Sequence, residues 1–93
     1  MNNDQLLKAC KKYDFSFLGI FGSHARGENK ADSDLDLLVK FKKRKSLLDM
    51  VRIEREMSES LGLKVDLVTE KSVSPYLRDS IMRGLKIVYD SKR

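Results

Sequence analysis

The order of short apolar segments and amphipathic segments limits the fold of this chain more than any other feature of its sequence. Residues 15–21 and 35–41 are apolar enough to form buried strands, and residues 64–69 and 86–89 form shorter ones. Amphipathic spacing and capping residues predict helices over residues 4–13, 46–62 and 74–84. Because 93 residues carry all of these elements, they can close only one core, and we predict a single domain over residues 1–93.

Capping signals mark the ends of the two later helices. Ser46 and Asp49 have the spacing of a capping box, and Gly62 is typical of the residue that ends a helix. Ser74 followed by Pro75 is typical of the first residues of a helix. These signals make the helix that begins near Ser46 the most secure local prediction.

The element order predicts an α+β fold with a four-stranded mixed sheet and helices mainly on one face. The glycine-punctuated stretch 22–27 after the first strand can begin a helical turn. Within the predicted helices, apolar residues at helical spacing and methionines are expected to face the core. These residues are Leu6, Leu7, Cys10, Leu47, Met50, Val51, Ile53, Met57, Leu61 and Met82.

Composition excludes several classes of protein. The single cysteine, Cys10, cannot form an internal disulfide, no secretory signal is present, and no apolar run reaches the length of about 20 residues that spans a membrane. We therefore expect a soluble, cytoplasmic protein. The chain has 19 lysine and arginine residues, 14 aspartate and glutamate residues and a formal net charge of +5, which favours an anionic ligand or an acidic partner.

Three aspartates are the candidate catalytic residues. Asp34 and Asp36 begin the second strand and point to the same side of it, about 7 Å apart. Asp66 lies within the third strand between apolar residues, where a carboxylate without a partner or a role is unfavourable. Carboxylates without nearby histidine or cysteine favour Mg²⁺ or Mn²⁺ over zinc. Three carboxylates around such cations suit metal-assisted phosphoryl or nucleotidyl transfer.

A glycine-rich loop lies immediately before these acids. Gly22 lets the backbone approach a ligand closely, the Ser23 hydroxyl can contact a triphosphate, and Arg26 adds a guanidinium suited to phosphate. The loop lacks the glycine-lysine-serine ending of a Walker A motif, which excludes a P-loop NTPase. His24, the only histidine, is assigned no chemistry.

Together, Gly22-Ser23, an interval of ten residues, Asp34-Leu35-Asp36 and Asp66 form one pattern. This pattern resembles the DNA polymerase beta superfamily of nucleotidyltransferases. Within it, so short a chain is most similar to the minimal nucleotidyltransferase (MNT) antitoxins that pair with HEPN-domain toxins. The resemblance extends over residues 15 to about 89 and implies the polymerase beta palm-like nucleotidyltransferase fold.

The resemblance also implies a function for each matching residue. Gly22 and Ser23 would bind the nucleotide phosphates, Asp34 and Asp36 would hold Mg²⁺, and Asp66 would complete the metal-binding triad and help activate the acceptor hydroxyl. The implied reaction transfers AMP from ATP to a tyrosine hydroxyl of a HEPN toxin, an RNA-cleaving protein that is silenced by the transfer. Larger relatives carry an additional acceptor-binding domain, so we expect the acceptor to arrive on another protein, in a hetero-oligomer.

Two other functions are compatible with the sequence. The chain can be a binding module that neutralises a toxin by occlusion, with a nucleotide site that is idle or only senses ATP. Nucleic-acid binding through the basic run Lys40, Lys42, Lys43, Arg44 and Lys45 is a weaker hypothesis, because the run lacks interleaved aromatic residues apart from Phe41. The same cations can instead steer ATP or meet an acidic partner surface.

The candidate acids also have structural interpretations. Asp34 and Asp36 can cap the entrance of a strand in a solvated turn, and Asp66 can pair with a lysine such as Lys64. Asp32 extends the same alternation, but its polar surroundings favour a surface turn.

Overall fold

The computed structural model describes residues 3–30 and 33–92, so Asp32 lies outside the described residues. This part of the chain forms helices and strands in the order α1 Asn3–Lys12, β1 Phe15–Phe21, α2 Ser23–Arg26, β2 Leu35–Phe41, α3 Leu47–Leu61, β3 Val65–Thr69, α4 Pro75–Gly84 and β4 Lys86–Asp90. A short 3₁₀ turn, Glu70–Ser72, follows β3 and is not among the predicted elements. The predicted strands and long helices are confirmed with shifts of only one or two residues at their ends.

The four strands form one mixed sheet in the order β3-β2-β1-β4. β2 and β3 are parallel, whereas β1 is antiparallel to both β2 and β4. Parallel neighbours need a long crossover connection, and α3 provides it between β2 and β3. The predicted α+β fold with a four-stranded mixed sheet is confirmed.

The hydrophobic core lies between one face of the sheet and the helices α1 and α3. Leu6 and Cys10 of α1 and Ile53 and Met57 of α3 are buried, as predicted. They pack with strand side chains that alternate toward the same face: Phe15, Leu18, Ile20, Leu35, Leu37, Val39 and Val65. The closely packed face of the sheet is therefore the one that α1 and α3 cover, and α4 lies on the other face.

The predicted caps of α3 are confirmed. The Asp49 backbone N–H donates to the Ser46 hydroxyl at 3.1 Å, and the Ser46 backbone N–H donates to the Asp49 carboxylate at 3.2 Å. At the other end, Gly62 has φ +73° and terminates the helix in the left-handed conformation. None of the described helices has the length and hydropathy needed to cross a membrane.

Four residues predicted for the core are exposed instead. The exposed fraction is 41% for Leu7, 80% for Leu47, 56% for Val51 and 50% for Met82. Leu47 and Val51 lie in the first turns of α3 and line an open groove rather than contacting the sheet interior. Met82 lies on α4, none of whose residues is buried, because this helix covers the second face of the sheet only in part.

Candidate active site

Three strands bring the candidate carboxylates to one end of the sheet. Asp36 pairs with Phe21, the last residue of β1, and with Asp66, the second residue of β3. Residues that pair across neighbouring strands point to the same face, so Asp36 and Asp66 are side by side. Asp34, two residues before Asp36, lies beyond the start of β2 on the same side.

Gly22 links the end of β1 to α2 and packs directly against Asp36. Its φ of +75° is a conformation that side chains rarely adopt. A Cβ atom at this position would also collide with the Asp36 Oδ2 atom. Two independent constraints therefore favour glycine here: the left-handed backbone conformation and the close approach of the loop backbone to the carboxylate. Ser23 is the next residue and begins α2.

The electrostatics of the site centre on Asp36. Partial burial raises the pKa of Asp36 above its ordinary value, and repulsion from Asp66 and then Asp34 raises it further. His24 and Arg26 act in the opposite direction and favour the ionised carboxylate. Asp66 and Asp34 are thus close enough to repel Asp36, and a bound cation would relieve this repulsion.

Among the three candidate acids, only Asp34 forms an ion pair within the described part of the chain. Lys64 Nζ lies 3.8 Å from Asp34 Oδ2, and the lysine side chain is 70% exposed and the aspartate side chain 43% exposed. Such a pair contributes little to stability. The structural alternative for Asp66, a pair with Lys64, is not observed, because this lysine is directed toward Asp34 instead.

Arg26 and His24 lie near the acids without contacting them by a hydrogen bond. The Arg26 guanidinium pairs with the Glu28 carboxylate at 3.0 Å, and both groups are exposed, so the arginine is not already directed toward a phosphate position. His24 Nε2 lies 3.3 Å from the Ser33 carbonyl oxygen and connects α2 to the loop that precedes Asp34. Sequence reasoning missed this role of His24, and no local pattern marks it.

Two α3 side chains fix the edge strand that carries Asp66. The Val65 backbone N–H donates to the Ser58 hydroxyl at 2.9 Å, and the Leu67 backbone N–H donates to the Glu54 carboxylate at 2.8 Å. These amides flank Asp66 on the strand edge that has no neighbouring strand. Glu54 and Ser58 thereby satisfy backbone groups that an edge strand otherwise leaves unpaired, and sequence reasoning did not predict this role.

A cavity opens beside the two paired acids. It has a volume of about 500 Å³ and lies between the sheet and α4. Asp36 and Asp66 contribute to its wall, together with the apolar side chains Phe21, Val68, Val73, Leu77 and Ile81. The carboxylates therefore face a space that suits an apolar or aromatic group.

The donor chemistry fits Mg²⁺ when a nucleotide completes the coordination. Within residues 3–30 and 33–92, no three histidine, cysteine, aspartate or glutamate side chains are grouped closely enough to hold a metal ion by themselves. Mg²⁺ commonly uses only one or two carboxylates, together with substrate phosphates and water. Asp34 and Asp36 supply oxygen ligands of this kind, and the participation of all three acids stays a prediction.

Comparisons with known proteins identify the family. The family described as Polymerase beta, Nucleotidyltransferase matches residues 4–93. This chain belongs to the polymerase beta nucleotidyltransferase family. A Methanocaldococcus jannaschii protein, named for protein adenylyltransferase activity, is 48% identical over 78 residues, which cover 84% of each chain. The Protein adenylyltransferase MntA of Thermococcus cleftensis is 42% identical over 72 residues, 77% of this chain and 71% of that protein.

Solved structures of this nucleotidyltransferase family have the same fold. A minimal nucleotidyltransferase structure has a TM-score of 0.76 at 38% identity and covers 90% of this chain and 86% of its own. A toxin-antitoxin structure with AMP-PNP has a TM-score of 0.86 at 21% identity and covers 97% of this chain and 74% of its own. The predicted resemblance to the superfamily and the nucleotidyltransferase fold are both confirmed.

Proposed function

We propose that this nucleotidyltransferase transfers AMP from ATP to a tyrosine hydroxyl of a HEPN-domain toxin and acts as its antitoxin in a hetero-oligomer. The observation that carries the proposal is the close approach of Gly22 to Asp36, with Asp34 and Asp66 beside them. The relative from Thermococcus cleftensis is named a protein adenylyltransferase. A structure with the same fold is described as a tri-AMPylated Shewanella oneidensis HEPN toxin in complex with an MNT antitoxin, with a TM-score of 0.75 at 17% identity.

Each candidate residue has a defined task in this reaction. Gly22 and Ser23 bind the ATP phosphates, and Arg26 exchanges Glu28 for a phosphate oxygen, since its present ion pair is exposed and weak. Asp34 and Asp36 would hold Mg²⁺, with Asp66 as the third ligand. When bound there, the cation would neutralise charge at the phosphates and favour ionisation of the attacking hydroxyl.

Asp66 is the carboxylate best placed to act on the acceptor. The tyrosine oxygen forms a bond to the α-phosphorus, the bond from this phosphorus to the pyrophosphate oxygen breaks, and pyrophosphate leaves. Asp66 accepts the hydroxyl proton as the new bond forms. The products are AMP-tyrosine, pyrophosphate and the proton held by Asp66, so the atoms and charges balance.

The cavity beneath α4 supports a tyrosine acceptor over a serine or threonine. Its apolar walls, which include Phe21, Val68 and Leu77, can surround an aromatic ring, and Asp66 stands at the same cavity. An aromatic ring that enters from a partner protein would bring its hydroxyl toward the acids. A short aliphatic hydroxyl side chain would leave most of these apolar contacts unmade.

The test is the intact mass of a HEPN-domain partner after incubation with this protein, ATP and Mg²⁺. We expect mass gains in AMP-sized steps, located by fragmentation on a tyrosine and abolished by Asp36→Asn. Asp79→Asn is the matched control, because it makes the same charge change on the exposed surface of α4. A stable complex without any gain in mass would contradict transfer and favour neutralisation by occlusion.

A further inference from the structure

A second concave surface lies at the other end of the sheet and has no role in the proposed reaction. We call it the basic groove: it has a volume of about 1010 Å³ and lies between the first turns of α3, the ends of β2 and β3, and the connection between β2 and α3. Its apolar wall contains Leu47, Met50, Val51 and Leu67, and its rim contains Lys42, Lys43, Arg44, Lys45 and Lys71.

The apolar wall of the basic groove is unusually exposed for a helix in a small domain. Leu47 and Val51, four residues apart on one side of α3, are exposed, whereas Ile53 and Met57 on another side of the same helix are buried. Covering these exposed apolar side chains with another molecule is favourable, because it removes apolar surface from water. Contiguous exposed apolar surface with a polar rim is typical of a site for association with a protein.

The rim carries positive charge that the described residues do not neutralise. Lys42, Lys43 and Arg44 form no ion pair or side-chain hydrogen bond within residues 3–30 and 33–92. The two acids at the groove are already engaged: Glu70 pairs with Lys40 at 3.1 Å, and Glu54 accepts the hydrogen bond of β3 described above. An occupant that supplies negative charge would therefore meet cations that no described acid already engages.

We propose that the basic groove binds an acidic amphipathic helix of another protein. Such a helix places an apolar stripe against Leu47 and Val51 and carboxylates against Lys42, Lys43 and Arg44. A second copy of this chain is less complementary, because its net charge is +5. Nucleic acid is also less complementary, since the exposed wall is aliphatic and the one nearby aromatic ring, Phe41, packs edge-on against Phe15 at 5.1 Å.

The basic groove is centred at the other end of β2 from the carboxylate site, and it adjoins the cavity beneath α4 at Glu54, Leu67 and Ser72. Asp36 and Phe41 are about 17 Å apart along β2, at the two ends of the strand. Asp36 and Asp66 do not line the groove, so a helix seated against Leu47 and Val51 would leave both carboxylates accessible. This binding surface goes beyond the proposed function and does not depend on it, because binding requires neither ATP nor Mg²⁺.

The test uses a fluorescein-labelled synthetic peptide of about 14 residues, or four helical turns, with leucine along one face and glutamate elsewhere. Fluorescence anisotropy without nucleotide should show saturable binding that weakens with added salt. The triple substitution Lys42→Glu, Lys43→Glu, Arg44→Glu should weaken binding at least about tenfold. The matched control, Lys8→Glu, Lys11→Glu, Lys86→Glu, changes net charge equally on exposed positions outside the groove and should retain affinity.

A second variant tests the apolar wall separately. Leu47→Ser should weaken peptide binding without lowering thermal stability, because its side chain is 80% exposed in the free protein. A peptide of the same composition with no apolar face should bind at least about tenfold more weakly. Equal affinity for the two peptides, tighter binding of a labelled oligouridylate, self-association that Leu47→Ser disrupts, or no saturable peptide binding would each overturn the proposal.

Discussion

Asparagine at position 36 should stabilise the folded protein while it abolishes transfer of AMP. The Asp36 carboxylate is partly withdrawn from solvent and faces Asp66 and Asp34, and no described residue donates a hydrogen bond to it. Asparagine has nearly the same shape without the charge, so its packing against Gly22 is retained and the repulsion disappears. Activity is lost because an amide is a poor Mg²⁺ ligand compared with a carboxylate.

The size of the stabilisation follows from the strand geometry. Asp36 and Asp66 lie on adjacent strands about 4.8 Å apart, and Asp34 and Asp36 are about 7 Å apart along the chain. Coulomb's law with an effective dielectric constant of about 20 gives repulsions of about 3 and about 2 kcal/mol. Solvent screening of these partly exposed groups, with the opposing charges of Arg26 and His24, reduces the sum to about 1 kcal/mol. This free energy corresponds to an increase in Tm of about 4–8 °C for a domain of this size.

The increase in Tm should depend on pH with a definite sign. Because the pKa of Asp36 is raised in the folded state, the folded protein binds this proton more tightly than the unfolded chain does. The stability from protonation is complete below the ordinary pKa of 3.8 and is lost as pH rises through the raised pKa of the folded state. The Tm of Asp36→Asn should therefore exceed that of the wild-type protein most at neutral pH, and the difference in Tm should shrink in acid.

Circular dichroism melts from pH 4 to pH 8 measure this difference, and the mass assay measures transfer. Mg²⁺ with a non-hydrolysable ATP analogue should raise the Tm of the wild-type protein more than that of Asp36→Asn. Asp79→Asn should leave both Tm and transfer nearly unchanged. A lower Tm for Asp36→Asn at neutral pH, with an unchanged control, would refute repulsion among the acids. Retained transfer would refute the assigned role of Asp36.

Three further substitutions test individual contacts. Gly22→Ala should lower the free energy of unfolding by about 1–3 kcal/mol in urea titrations, because the backbone conformation and the carboxylate of Asp36 both disfavour a Cβ atom. Gly84→Ala is the control and should not lower it, because the space around Gly84 is open. Ser58→Ala should lower stability by about 1–2 kcal/mol and reduce kcat, since it leaves a backbone amide beside the third acid without its acceptor. Burial and the hydrogen bond to Glu56 raise the pKa of Tyr13 to about 12. Ultraviolet absorbance should therefore show a tyrosine titration step near that pH, and Tyr13→Phe should remove this step.

The strands and helices of this protein could be predicted because their signals are local. The capping box at Ser46, the glycine at position 62 and the apolar run of β2 each act within a few residues of the structure that they specify. The exposure of Val51 follows from helix geometry, because this residue lies about 160° around α3 from the buried Ile53. The exposure of Leu47 could not be predicted in the same way, since it depends on whether a distant part of the chain covers the first turn of α3.

The candidate acids could be predicted as a set, although their surroundings could not. Asp36 lies in β2 and Asp34 is two residues before it, so their proximity follows from the local chain alone. The position of Asp66 depends on the parallel pairing of β2 with β3, which chain order does not specify. The pairing of Lys64 with Asp34 rather than Asp66 is a further consequence of this register.

β3 connects the two ends of the molecule that the proposals concern. Asp66 lies near its start, and Leu67 contributes to both the cavity beneath α4 and the basic groove. Glu54 also lines both spaces while it accepts the Leu67 backbone N–H. A helix bound in the basic groove would therefore contact the strand that carries the third acid and the side chain that holds this strand in place. Because Asp36 and Asp66 do not line the groove, such binding would leave the carboxylates open to ATP while it contacts the wall of the cavity beneath α4.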